Sequence, residues 1–278
     1  MAAYHTRSIS FPSSQHPLIP EFDEQLCRLR SSEAASSSST SLSSKVSGLQ
    51  DLHDCVDKLL LLPLNQQALS KQPNEEWVDE LLDGSLRLLD MCNTAKDALQ
   101  QTKESTQELQ SIIRRRRGGE SSLSCEVKKF LNIRKAVKKA LHEAMENKCT
   151  FSLLNQDQEI VSMLREVQSI TLAVFESMFS FISGPKSNSW SLVSKLMNSK
   201  KASCENVNKS NEFVNVDAAL NSLLISNKSK KSDSMLEENA QNELQKLEMC
   251  IQDLEEGVES LYRRLLKTRV SLLNILSH

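Results

Sequence analysis

Seven cysteines and five histidines are the residues of this sequence best suited to hold a metal or act as nucleophiles, and their spacing argues against both roles. Cys27, Cys55, Cys92, Cys125, Cys149, Cys204 and Cys250 stand singly, with no CxxC pair, and His5, His16, His53, His142 and His278 are dispersed. A tetrahedral zinc site needs its ligands to converge, usually in pairs a few residues apart. His53 and Cys55 are two apart, which puts them on different faces of a helix. "HEAMEN", from His142, has half of the zincin helix motif and lacks its second histidine. The expectation is no metal and no cofactor. An odd, scattered set of cysteines reads as reduced thiols of the cytosol or nucleus. "MAAYHTRSIS" has no apolar leader core and carries Ala2 where myristoylation requires glycine, and "NILSH" is no prenylation box. The expected location is cytoplasmic, with a nuclear or peripheral membrane pool as the alternatives.

Phosphate chemistry lacks its usual cradle: there is no GxxxxGKS, and no GxGxxG follows a strand-like run. Aromatic residues are 4% of the chain and are not interleaved with basic ones, and the net charge is -2, so no nucleic acid is expected as partner. No local context marks an enzyme. Two regulatory patterns stand out instead. "RSIS" sets Arg7 three residues before Ser10, which makes Ser8 and Ser10 candidate phosphorylation sites, where a phosphate would add about -1.5 to -2 charge. Arg114, Arg115, Arg116 and Arg117, with Lys128 and Lys129, form a candidate basic patch. Cations stabilise the last turn of a helix by about 0.3–1 kcal/mol each, and Gly118 or Gly119 supplies a helix stop, so a helix C-terminus explains the arginines. An import signal or polyanion contact is the other reading.

The elements that carry these residues are helices. Hydrophobic residues make up 39% and charged ones 25%, while six Gly and six Pro leave little turn material for a many-stranded sheet. Residues 1–44 read as a disordered head with a short Leu-bearing piece, "EFDEQLCRLR", and the linker "SSEAASSSSTSLSS". Residues 45–278 read as the helical domain. Its first helix begins near Val46 and is closed by Pro63. A second begins near Asn74, a candidate N-cap, and runs on Trp77, Leu81, Leu88, Cys92, Ala95, Leu99, Leu109 and Ile113 into the arginines, its stripe weakened by Thr102 and Thr106. A third covers Ser124 to Cys149, with Val127, Phe130, Leu131, Val137, Leu141 and Met145 inward and Lys128, Lys129, Arg134, Lys135, Lys138 and Lys139 largely outward. A fourth runs from Asp157 to Ile182. It contains the longest apolar run, "ITLAVFESMFSFI", which carries Glu176 and falls short of the roughly 20 apolar residues a bilayer requires. Gly184 and Pro185 end it.

Residues 183–235 read as a flexible crossover with two short helices, in "WSLVSKLM" and "NEFVNVDAALNSLL". In the last helix, 236–276, Leu244, Leu247, Ile251, Leu254, Val258, Leu261, Leu265, Leu272 and Ile275 alternate at three and four residues, broken only at Thr268. The first seven are the candidate interaction seam. Gly257 within that helix implies a close neighbour or a bend. The fold expected is all-α, an elongated antiparallel helical bundle with a disordered head and a long crossover before the last helix.

The segments "HTRSISFPSSQHPLIPEFDEQLCRLR", "LLDGSLRLLDMCNTAKDALQ", "ESMFSFISGPKSNSWSLVSKLM" and "LEEGVESLYRRLLKTRVSLLNILSH" resemble the plant BYPASS-related family across nearly the whole chain. The resemblance implies a plant-specific helical protein of root and shoot development, with no catalytic activity, cofactor or binding residues to carry over. The crossover "KKASCENVNKSNE" is neutral to basic where relatives are expected to be more acidic. The function expected is a non-enzymatic developmental regulator acting through an unidentified protein partner. Homo-oligomerisation is compatible but not favoured. The rivals are a weak contact with a membrane surface, through 170–182 or 114–139, and a nuclear basic-patch protein. The membrane rival requires Phe175, Phe179 and Phe181 on an exposed face.

Overall fold

Apolar residues recurring at three and four positions give each helix one stripe that must be buried, and in a chain this poor in glycine and proline the stripes can only be buried against one another. The computed structural model describes residues 17–33, 38–71, 75–115, 120–146, 159–184, 211–225 and 233–277, and these form eight helices and no strand. They are α1 (Leu18–Glu33), α2 (Ser39–Leu60), α3 (Pro63–Lys71), α4 (Glu75–Arg115), α5 (Glu120–Glu146), α6 (Glu159–Ser183), α7 (Glu212–Ile225) and α8 (Asp233–Leu276). The all-α bundle expected from the sequence is the fold found.

α8 is the central staff, packed most extensively on α4 and then on α2 and α7. Contacts fix the directions. Cys92 meets Val258, Lys96 meets Glu259 and Lys103 meets Glu255, so α4 runs antiparallel to α8. Gln50 meets Gly257, Asp54 meets Arg264 and Asp57 meets Thr268, so α2 runs parallel to it. Glu80 with Arg165, and Leu81 with Gln168, make α4 and α6 parallel as well. Helices adjacent in sequence are antiparallel, as with α1 and α2 (Glu21 to Lys58) and α4 and α5 (Glu108 to Lys129). The parallel pairs are reached through the longer connections.

Residues of the expected head, its short helix among them, pack on this core. Phe22, Leu26 and Leu29 of α1 are buried against α2 and α6. The second half of the serine tract is the first turns of α2: Ser38 caps it, its hydroxyl accepting from the Ser41 N–H at 3.2 Å, and Leu42 extends the stripe of Val46, Leu49 and Val56 one turn back. One leucine at the right spacing outweighs the poor helix propensity of its serine neighbours. Pro63 ends α2 as expected and also starts α3, at the helix position where its missing N–H costs nothing. α5 begins at Glu120, four residues earlier than Ser124.

Gly257 marks a close approach. A methyl group there would lie 3.0 Å from Val46 Cγ1, and its carbonyl accepts from Gln50 Nε2 at 3.1 Å. At the end of α6, Gly184 has φ 74° and its N–H donates to Ser180 O, the left-handed stop that glycine alone adopts without strain. Asn211 then caps α7, its amide accepting from the Val214 N–H and donating to Phe181 O, which ties the start of α7 to the end of α6. Asn74, Gly118, Gly119, Pro185, Cys149, Cys204 and "WSLVSKLM" lie outside the described residues.

Candidate functional site

Polar groups inside a helical bundle must find partners or their desolvation destabilises the fold, and here three sets of them sit between helices. Between α2 and α8, Arg264 grips Asp54 through Nε and Nη2, both at 2.9 Å, and Asp57 accepts from Thr268 Oγ1 at 3.0 Å with Lys267 Nζ at 3.3 Å. Thr268, the break in the heptad pattern, is therefore a buried contact. Thr102 and Thr106 are likewise fully buried, their hydroxyls donating to the carbonyls of Ala98 and Thr102 at 2.7 Å.

His53 lies between α2 and α6, its Nε2 3.1 Å from Thr171 Oγ1. The Thr171 hydroxyl donates to Val167 O at 2.7 Å, so its oxygen accepts from His53 and the imidazole carries its proton on Nε2. Burial, the largest influence, lowers the His53 pKa from 6.5 to about 4; Asp54 raises it and Arg264 lowers it. The ring is neutral in the fold and charges when the chain opens. The unfolded chain binds the extra proton between about pH 6.5 and pH 4, so stability is fully present above that window and falls as pH drops through it, by about 3 kcal/mol. The urea midpoint of His53→Gln is expected to change less with pH across this range than that of the wild type; equal slopes would refute the assignment.

The third set corrects a sequence expectation. Arg134, read as outward, is 1% exposed. Its Nε lies 3.3 Å from Asp217 Oδ1 of α7, its Nη2 donates to Ile182 O of α6 at 2.8 Å, and its guanidinium stacks 4.9 Å from the Phe213 ring centroid. Lys138 Nζ takes the other Asp217 oxygen at 2.7 Å.

The residues singled out for chemistry separate clearly. Ser8, Ser10, Arg116 and Arg117 lie outside the described residues. Arg114 and Arg115 are exposed at the end of α4, Arg114 donating to Gln110. Lys128 and Lys129 are exposed on α5, where Lys129 pairs with Glu108 at 2.7 Å. Leu244, Leu247, Ile251, Leu254, Val258, Leu261 and Leu265 are at most 4% exposed, so the candidate seam packs in the core of this chain. Burial pushes the thiols of Cys92 and Cys250 up to about 12, far from a reactive thiolate. Among the described residues no three metal-binding side chains gather. Phe175, Phe179 and Phe181 are buried, Phe181 edge-on to Phe213, which removes 170–182 as a lipid-facing surface. No helix of the described residues is long and apolar enough to cross a membrane.

What sequence reading missed is on the outside. Leu266, Val270 and Leu273 of α8 are 44%, 48% and 38% exposed, a second apolar stripe at i, i+4 and i+7 on the helix whose seam is buried. Arg269 donates to Leu82 O and Ser85 Oγ of α4, and Leu86, also exposed, follows directly on that turn. The spacing is plain in the sequence, but the stronger seam on the same helix hid it. A groove of about 360 Å³ between Ile19, Leu59, Leu62, Leu64, Ile160 and Met163 is a further apolar feature of the surface.

The molecule is thus a helical bundle whose buried polar groups join helices and whose distinctive surface is apolar and basic. Its sequence matches the family described as Protein BPS1 over residues 45–275, and the chain belongs to that family. This is the plant BYPASS-related family that the sequence resembles, one of plant developmental regulators of unknown molecular function. No curated protein and no solved structure matches the chain.

Proposed function

We propose that this protein is a non-enzymatic regulator of root and shoot development that works as a helical protein–protein interaction module in the cytoplasm. The observation that carries this reading is the exposed outer stripe of α8, Leu266, Val270 and Leu273. Apolar residues at i, i+4 and i+7 are the pattern by which one helix docks on another. Arg263 and Lys267, with side chains 75% and 67% exposed, flank the stripe. The occupant that fits is an amphipathic partner helix with leucine-type anchors and carboxylates facing those cations. Phosphorylation of Ser8 or Ser10 is the proposed switch.

Leu266→Gln with Val270→Gln tests the stripe. Both positions are half exposed, so the variant is expected to keep the helix content and urea midpoint of the wild type. It is also expected to fail to restore development in plants lacking the protein, and to migrate from plant extract near 31.3 kDa, the mass of one chain, where the wild type migrates as a larger complex. Full rescue by the folded variant would remove the stripe as the working surface.

A further inference from the structure

From Lys128 to Lys139 the chain carries six cations and no carboxylate, and the fold divides them into two groups. Arg134 and Lys138 turn to Asp217, and Lys129 to Glu108. Lys128, Lys135 and Lys139 remain on the outer face of α5, all exposed. Lys139 reaches only Glu143 of its own helix, at 3.6 Å, while Lys128 and Lys135 have no carboxylate partner among the described residues. Their spacing of seven and four residues sets the three ammonium groups on one line about 16 Å long. Beside that line Ala136 and Ala140 are exposed, and Asn132 and Gln101 of α4 flank a shallow groove of about 530 Å³.

We infer that this face of α5 binds an acidic helical segment of a partner protein, with carboxylates spaced to meet Lys128, Lys135 and Lys139. Two alanines let the partner backbone approach closely, and two amides offer hydrogen bonds beside the charges. The face lacks what other anionic surfaces require. A helix lying on a bilayer needs large apolar side chains pointing into it, and here the exposed apolar residues are alanines, with Ile133 half-buried. Single-stranded nucleic acid needs stacking aromatics, and this face presents none. Polar complementarity of this kind sets specificity and association rate. The inference rests on the interaction-module reading but uses a different face from the Leu266 stripe, so either surface can fail alone.

The test uses the full chain and a labelled helical peptide with glutamates at i, i+7 and i+11, followed by fluorescence anisotropy. The wild type is expected to bind it, more weakly as salt rises, and Lys128→Glu with Lys135→Glu to bind it at least about tenfold more weakly. A peptide with lysines in place of the glutamates is expected to bind the variant and not the wild type. Both substituted residues are exposed, so circular dichroism should be unchanged. Equal binding of the glutamate peptide by wild type and variant would overturn the inference. So would binding to vesicles of equal parts phosphatidylcholine and phosphatidylserine without binding to the peptide.

Discussion

Asp217→Ala is expected to lower stability by about 3–5 kcal/mol, and to do more damage than Arg134→Met although both remove the same ion pair. The two partners are buried unequally, the side chain of Arg134 at 2% exposed and that of Asp217 at 16%. Removing Asp217 leaves a guanidinium, the most basic of side chains, sealed between α5, α6 and α7 with only Ile182 O and the Phe213 ring to face it. Burial already pulls the Arg134 pKa down, and Asp217 is what opposes that fall. Removing Arg134 instead leaves a carboxylate that keeps Lys138 at 2.7 Å and some access to water, and methionine fills much of the arginine's volume with apolar atoms. Urea unfolding of the two single variants and the double variant measures the difference. The double variant is expected to recover much of what Asp217→Ala loses, because no charge is then stranded. If Asp217→Ala proved the milder change, the pair would not be the joint that holds α7 to α5.

Arg134 also shows how far the sequence could be read. Val127, Phe130, Arg134, Val137 and Leu141 alternate at three and four residues, so spacing put position 134 in the core while residue type, among five lysines, put it outside. Spacing prevailed because Asp217, Ile182 O and Phe213 supply the partners that a buried cation needs, and these are 48 to 83 residues away in sequence. Thr102, Thr106 and Thr268 repeat the lesson: each keeps the register of its stripe and satisfies its hydroxyl, two of them on their own helix and one on Asp57. Where type and spacing agreed, as along α8 and through Leu81, Leu88, Cys92 and Leu99 of α4, the core was legible residue by residue. Composition misled at the serine tract, where the register of Leu42 carried more information than its neighbours. The outer stripe of α8 follows the same three-and-four rule as the seam, and only the packing of α2, α4 and α7 around that helix decides which stripe is left outside.

Leu254→Asp is expected to leave no cooperatively folded protein, and this outcome separates two uses of the same heptad pattern. A three-and-four alternation of leucines can join two chains or close one. Leu254 is 1% exposed within the single chain, between a seam residue on either side and the helices that pack on α8. Burying a charge in place of that leucine costs several kcal/mol even after its pKa has shifted. Domains of this kind are stable by about 5–15 kcal/mol in total, so little or none of that margin would remain. Leu254→Ala supplies the graded companion: it removes apolar volume without adding charge and is expected to stay folded with stability lower by about 2–5 kcal/mol. Were the seam instead an interface between chains, Leu254→Asp would give a folded monomer with undiminished helix signal by circular dichroism and only a change in size. Loss of helix signal together with size control is therefore the result that assigns the seam to the interior. It would also leave the outer face of α8 as the side of that helix a partner can reach.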